Sequence, residues 1–428
     1  MRDAIRKLLE GRLRWALILW VFVMSAIAFL DRVNISIAGQ ALAREYKLSN
    51  QQLGYVFSAF VLGYALFQAP GGRLADRFGP RRVIALGVVW WGLFTTLTAL
   101  VPAGFALALP LLIVVRFVLG NGEAVVYPSS NRLVANWIPS AERGIANGLI
   151  FAGVGAGAGI TPPLITYIMV HWGWRWSFYC SALIGLAAGA VWYLLARDTP
   201  RGHPWIGKRE LAHIEAGLPA AAEERNAREA PPWRRIAGNT NVQVLTLTYF
   251  TFGYASYIFF TWFFTYLNKV RGLDLKSSAI YSTIPFLAMA IGSPLGGWVA
   301  DVLVKRYGRR AGRCGVAAFG MGLAAVFLAL ATQVKSAELA SLALGGGAGA
   351  LYLSQSAYWA VTADIAGPWA GFTSGLMNMG AQIGGAVTAS LTPWIAGHFG
   401  WSASFLVAAA LAGAGAAAWL VVDPDARV

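Results

Sequence analysis

Hydrophobic positions in this chain run in long unbroken stretches separated by short polar segments, rather than along one face of an amphipathic repeat. A stretch of about 20 apolar residues crosses the hydrocarbon core of a bilayer as a helix. The pattern predicts twelve of them, at 14–38, 51–75, 82–101, 106–133, 143–168, 175–196, 241–268, 277–304, 312–331, 337–364, 369–396 and 401–422. Helix is the expected conformation of each, because lipid offers the backbone no other open-chain way to satisfy its hydrogen bonds. The longest polar interruption, residues 197–238, contains "RDTPRGHPWIGKRELAHIEAGL" and reads as a partly helical surface linker. It divides the helices six and six. The expected organisation is a bundle over 1–196, the linker over 197–238, and a second bundle over 239–428.

The two halves repeat one another. "HWGWRWSF" at 171–178 returns as "HFGWSASF" at 398–405, and Gly148, Gly153 and Gly157 map at the same offset onto Gly375, Gly380 and Gly384. "GGRLAD" at 71–76 returns as "GGWVAD" at 296–301. Matches at corresponding places in both halves mark two duplicates in the same orientation.

Composition agrees with the pattern: 57% of the 428 residues are hydrophobic and only 12% charged, where soluble domains carry about a quarter charged. The net charge of +15 would point to nucleic acid in a soluble protein. Here the basic residues sit in short loops: Arg2, Arg6, Lys7, Arg12 and Arg14 before the first helix, Arg73, Arg77, Arg81 and Arg82 between helices 2 and 3, and Lys305 to Arg313 between helices 8 and 9. Alternate loops carry few. That bias places both termini and the linker in the cytoplasm, and no nucleic-acid partner is expected. The first apolar stretch is too long for a signal-peptide core and reads as a retained helix.

Candidate enzyme chemistry is sparse. Cys180 and Cys314 lack metal or redox spacing, and His171, His203, His213 and His398 are scattered without ligand spacing. "GAGAG" at 155–159 lies in a membrane stretch with no preceding strand, which favours close helix packing over a nucleotide loop. No nucleophile elbow and no phosphate loop followed by lysine is present. No metal or cofactor is expected. A receptor would want a soluble domain, for which the linker is too short.

Two parallel six-helix repeats joined by a linker resemble the plan of the major facilitator superfamily. The segment "GGRLADRFGPRRV" at 71–83 is similar to that superfamily's loop 2–3 signature, with Gly72, Asp76, Gly79 and Arg81 in the matching places. Gly72 lets two helices approach closely, Asp76 can accept from a neighbouring helix end or pair with an arginine, and Gly79 makes the turn. The resemblance implies a gate that latches the halves on the cytoplasmic side. A basic loop that only sets topology is the alternative.

Four ionisable residues fall within the apolar stretches: Asp31 and Arg32 in helix 1, Arg116 and Glu123 in helix 4. Each costs about 2.5–3.5 kcal/mol if unpaired in lipid. Arg116 and Glu123, two turns apart, share a helix face. The four form one network if helices 1 and 4 line a common cavity. Two plainer readings stand beside this: buried pairs that fix helix register, and an Asp31–Arg32 pair near the outer interface with Arg32 snorkelling.

"FLDRVNIS" in helix 1, "RFVLGNGEAVVYP" in helix 4, "NWIPSAERGIANGL" before helix 5 and "HPWI" in the linker resemble the anion:cation symporter family, which includes bacterial sugar-acid transporters. The chain has Val125 where that family often has proline, and retains Pro128. The resemblance implies Asp31 and Glu123 as proton-binding acids, Arg116 as the partner of ionised Glu123, and Arg32 as the ligand of a substrate carboxylate. It implies Tyr64 and Asn378 as substrate contacts. Tyr257, Gln355, Ser356 and Tyr358 are further candidates, since helices 7 and 10 also line such cavities. The expected function is proton-coupled uptake of a small organic anion, such as an aldonate, hexuronate or aldarate, across a bacterial inner membrane. The proton is the coupling ion, lipid the surroundings, and a monomer the expected form. A sodium-coupled or uncoupled carrier of an aromatic or dicarboxylic acid is the alternative.

Overall fold

The structure, a computed structural model, describes residues 11–218, 232–263, 266–273 and 275–428. Among these residues it consists of helices and their connections, with no strand. The first half comprises α1 (Leu13–Tyr46), α2 (Asn50–Phe78), α3 (Pro80–Leu100), α4 (Ala108–Glu123), α5 (Val126–Trp137), α6 (Arg143–Trp172) and α7 (Trp174–Leu195). The linker carries α8 (Lys208–Ala216) and α9 (Trp233–Gly238). The second half comprises α10 (Thr240–Thr261), α11 (Leu275–Tyr307), α12 (Val316–Ala331), α13 (Ala337–Leu353), α14 (Gln355–Ala366), α15 (Ala370–Phe399) and α16 (Trp401–Ala418). Each of the twelve apolar stretches carries helix. Nine helical segments among the described residues are long and apolar enough to cross a bilayer unaided.

Two stretches expected to be single helices break beside the central pocket. In the fourth, α4 stops at Glu123 and α5 starts at Val126. Pro128 has no N–H to give the carbonyl of Ala124, so the ladder is interrupted there, and Ser129 N resumes it by bonding Val125 O. In the tenth, the break falls at Ser354, whose hydroxyl donates to Leu351 O at 2.6 Å and competes with the ladder. The two breaks occupy corresponding places in the halves, and both border the central pocket.

The repeat is carried into three dimensions. In the first half α1 packs on α6, α2 on α4 and α3 on α7; in the second α10 packs on α15, α11 on α13 and α12 on α16. The halves meet along α6 with α11 and along α2 with α15. The repeated glycines explain the closeness of these pairs. A Cβ on Gly153 or Gly157 of α6, or on Gly380 or Gly384 of α15, would lie 2.2–2.4 Å from a carbonyl of α1 or α10. Only hydrogen fits. Gly173 and Gly400, within the repeated "HWGW" and "HFGW", take φ of +88° and +84° and turn the chain sharply between consecutive helices.

The linker is more than a surface tether. Glu210 of α8 is buried and accepts from the backbone N–H groups of Leu13 at 3.1 Å and Arg14 at 3.0 Å. A carboxylate from the middle of the chain thus caps the first turn of α1, where free N–H groups and the helix dipole both favour negative charge. Arg14 also pairs with Glu142 at the start of the α6 region. Residues 219–231 of the linker, and Arg2, Arg6 and Lys7 of the basic N-terminal segment, lie outside the described residues.

Candidate functional site

All four charged residues lie inside the protein: Asp31, Arg116 and Glu123 are buried, and Arg32 is nearly so. α1 continues to Tyr46, well past Asp31 and Arg32, so the pair sits mid-helix rather than at an interface. Arg32 Nε donates to Glu123 Oε1 at 2.6 Å, joining α1 to the broken end of α4. This corrects the expected Arg116–Glu123 pair. Arg116 makes no ion pair among the described residues; its guanidinium lies over the ring of Phe60, 4.8 Å from the centroid. Two helical turns separate it from Glu123 by about 10 Å of rise, and Glu123 turns instead to the nearer cation on α1. Arg116 still acts on Glu123 and Asp31 at longer range. Both Asp31 carboxylate oxygens are enclosed without a hydrogen-bond partner among the described residues.

Arg32 borders a narrow pocket between the halves. Its guanidinium rests 4.1 Å from the Tyr64 centroid and 4.8 Å from that of Phe29, while Nη2 has no partner. Nε of this cation is therefore spent on Glu123, while the enclosed Nη2 keeps its donors unspent. Asn378, Tyr257 and Gln355 line the pocket, as does Arg32. Tyr64 lies beneath Arg32 rather than on the wall.

Ser356 and Tyr358 are not on the wall either. Tyr352 and Gln355 share the inward face of the α13–α14 segment, and Ser356, one residue on, is turned about 100° from it. Tyr358 donates to Thr248 O at 3.2 Å and packs edge-on against Trp419 inside the second half. It is a packing residue here.

Sequence reasoning missed much of the wall: Tyr127, Tyr249, Ser256, Tyr352 and Gln382 all border the pocket. For Gln382 a signal existed, since it lies one turn from Asn378 on the same helix face. The aromatic residues carried none, being indistinguishable from packing residues in a chain with 13% aromatics. The polar side chains bond one another. Gln355 Nε2 and Trp359 Nε1 both donate to the Tyr249 hydroxyl, at 2.8 and 2.9 Å. Tyr257 OH donates to Gln382 Oε1 at 2.6 Å, and Asn378 Nδ2 donates to Gln68 Oε1 of the first half at 2.8 Å. Among the described residues, no three His, Cys, Asp or Glu side chains gather as metal ligands do.

Below the pocket, toward the end carrying the basic loops, the halves are fastened. Asp76 accepts from the backbone N–H groups of Gly371 at 3.1 Å and Phe372 at 2.9 Å, at the start of α15, with Arg132 at 3.8 Å. A Cβ on Gly72 would lie 2.0 Å from Gly371 O. The duplicate motif does the same in the other direction. Asp301 accepts from Gly144 N at 3.0 Å and Ile145 N at 2.6 Å, and pairs with Arg313 at 2.6 Å. Gly79 takes φ of +86° at the turn between α2 and α3. Arg81 does not reach the other half. Its backbone N–H donates to Asp198 and its Nε to Tyr193 O, at 2.8 and 2.9 Å, both in the same half or its linker edge. A third fastening has no motif to announce it: Asp364 accepts from Arg143 Nη1 at 2.7 Å and from the Ser140 hydroxyl at 2.8 Å across the halves.

A duplicated helical bundle, closed at one end over a central pocket with a cation on its wall, is the architecture of a membrane carrier. The family model described as "Major Facilitator Superfamily" matches residues 21–389 and 282–428. The chain belongs to that superfamily, in its anion:cation symporter type, and is a transporter rather than an enzyme. It is 35% identical over 404 residues to the "Probable sulfoacetate transporter SauU" of Cupriavidus necator, covering 94% of this chain and 92% of that one. It is 31% identical to the "Probable galactarate/D-glucarate transporter GudP" of Bacillus subtilis, covering 97% and 93%. Among solved structures, the proton:xylose symporter XylE bound to 6-bromo-6-deoxy-D-glucose superposes with a TM-score of 0.78 at 17% identity, covering 96% of each chain. That likeness is one of fold.

Proposed function

We propose that the protein takes up a small organic anion together with protons, and that the Arg32–Glu123 bond on the pocket wall is the coupling element. The single observation carrying this reading is that one guanidinium serves both the pocket and a buried acid at 2.6 Å. While Glu123 is ionised it holds Arg32, and an incoming carboxylate or sulfonate must compete with it. A proton on Glu123 releases the arginine, whose planar fork then offers two parallel donors to the anion. The anion in turn occupies the arginine and leaves the acid free to keep its proton, so each ligand favours the other. Asp31, enclosed beside this pair, is the second acid. With proton and anion aboard, the site is nearer neutral and the halves rock about it.

The names of the relatives support an anion of the sugar-acid or sulfonate kind. Tyr257, Asn378, Gln382 and Gln355 supply hydroxyl and amide groups suited to its oxygens. The basic-loop end is the cytoplasmic end in this reading, with both termini there and the bilayer that of a bacterial inner membrane; the fastened ends then leave the pocket addressed to the outside.

The test is uptake by proteoliposomes of labelled sulfoacetate, D-glucarate and D-galactonate under an inward acid gradient. For the monoanion D-galactonate, symport with one proton is electroneutral and accumulates the substrate about tenfold per pH unit. Equal uptake with and without the gradient would remove the coupling claim, and accumulation driven by sodium instead would replace it.

A further inference from the structure

The proposed function leaves unexplained a buried amide that is not part of the pocket wall. Gln68 of α2 is fully buried, and its Nε2 has no partner among the described residues. Its Oε1 accepts from Asn378 Nδ2 at 2.8 Å. Asn378 Oδ1 accepts from Gln382 Nε2 at 3.5 Å, and Gln382 Oε1 accepts from Tyr257 OH at 2.6 Å. The tyrosine hydroxyl donates to the Gln382 carbonyl oxygen, and each amide NH2 then faces the oxygen of the next amide. The result is a directed chain, Tyr257 to Gln382 to Asn378 to Gln68. Its first three members line the pocket; the last does not, and it alone belongs to the first half.

The place of Gln68 gives the chain its meaning. Its backbone carbonyl lies against Gly375 of α15, where a Cβ would come within 2.3 Å. One turn nearer the basic end, Gly72 and Asp76 clasp Gly371 and Phe372 of the same helix. The Gln68–Asn378 bond is thus the pocket-side end of the seam between α2 and α15, and it must part when that seam opens. Asn378 Nδ2 spends one of its two N–H groups on Gln68. A substrate that turns the Asn378 amide to meet its oxygens with both N–H groups takes that one from Gln68.

We infer that Gln68 is the residue through which an occupied pocket loosens the cytoplasmic closure. This rests on the transport reading above and extends it to a residue outside the pocket. An empty pocket leaves Asn378 bonded to Gln68 and the α2–α15 seam closed. An anion whose oxygens draw the Asn378 amide away removes that bond, and the seam then depends on the Asp76 clasp alone. Gln68 is a positioning residue in this scheme, acting through Asn378 and touching no substrate.

The experiment reads seam opening directly. Ser374, on α15 between the clasp and Asn378, is buried. Ser374→Cys, with Cys180→Ser and Cys314→Ser, provides a thiol that N-ethylmaleimide reaches from the cytoplasmic side of inside-out vesicles only when the seam parts. Gln68→Leu and Asn378→Leu, alone and together, form a double-mutant cycle without any substrate. Loss of one buried hydrogen bond is expected to speed labelling about fivefold in each single variant. The double variant should label no faster than either single one, because both remove the same bond. Unchanged labelling in Gln68→Leu, or effects that multiply in the double variant, would overturn the inference. Asp76→Asn serves as the positive control that the thiol reports opening.

A second arm adds sulfoacetate, D-glucarate, D-galactonate or D-glucuronate at saturating concentration. An acid that speeds labelling of the parent and leaves Gln68→Leu unchanged supports the link. Equal acceleration of both would overturn it while sparing the transport reading. Silence of the parent to all four acids would count against the substrate reading alone, with the cycle still deciding the link.

Discussion

Arg32→Ala is expected to weaken anion binding about 100-fold, the largest effect of any single substitution on the pocket wall. The guanidinium contributes charge-assisted hydrogen bonds worth about 1.5–3 kcal/mol each, and no other cation lines the pocket among the described residues. Arg32→Lys restores the charge without the fork, so its affinity should fall between the two. The substitution also strands Glu123. Removing one partner of a buried pair costs about 3–5 kcal/mol if the other stays charged, so Arg32→Ala should lower thermal stability as well as affinity. Pairing it with Glu123→Gln separates these effects: stability returns and binding does not. Thermal-shift titration of the purified protein with sulfoacetate and D-glucarate reads both. Affinity retained in Arg32→Ala would take Arg32 out of the anion site.

Gly72→Val is expected to hold the basic-loop end open. Its Cβ would sit 2.0 Å from Gly371 O, a contact that neither backbone can yield without moving α2 away from α15. Overpacking of this kind costs about 1–3 kcal/mol, which shifts an open–closed equilibrium on the order of 10–100-fold. The strain is absent when the halves part, so the penalty falls on the closed form alone. Uptake should drop to background while the protein remains folded. Gly297→Val should behave alike, because the duplicate motif brings it equally close to Gly144 O, at 2.2 Å. Thiol labelling at Ser374→Cys from the side of the basic loops would rise in both. Normal uptake by either variant would mean that the closure seen here is not a state the carrier must visit.

The helices, the duplication and the chemistry of the Gly72–Asp76 motif were legible in the sequence because each rests on local physics. Long apolar runs must be helical in lipid, and a glycine and an acid at four-residue spacing share one helix face. The partner of Glu123 was not legible. Spacing along α4 says that Arg116 and Glu123 share a face, but it is silent on what α1 brings to that face. The structure answers with Arg32, and leaves Arg116 over Phe60. The fastening at Asp364 was hidden for the same reason: its partners Ser140 and Arg143 stand more than two hundred residues away. The helix break at Ala124 was partly visible in Pro128, whereas the matching break at Ser354 has no proline to announce it. Tyr358 misled because a tyrosine in a pocket-lining helix has two faces available to it, and the second half's own core claimed this one.

Competition between a buried acid and a pocket anion for one arginine is tested most directly by proton uptake on anion binding. Purified protein in weakly buffered solution, at a pH where Glu123 is mostly ionised, is mixed with saturating sulfoacetate or D-glucarate while the medium pH is followed. The account predicts that the medium turns more alkaline as the protein takes up protons with the anion, and that Glu123→Gln binds the anion with a smaller change. Anion binding with no change in medium pH, or with the full change retained in Glu123→Gln, would contradict it.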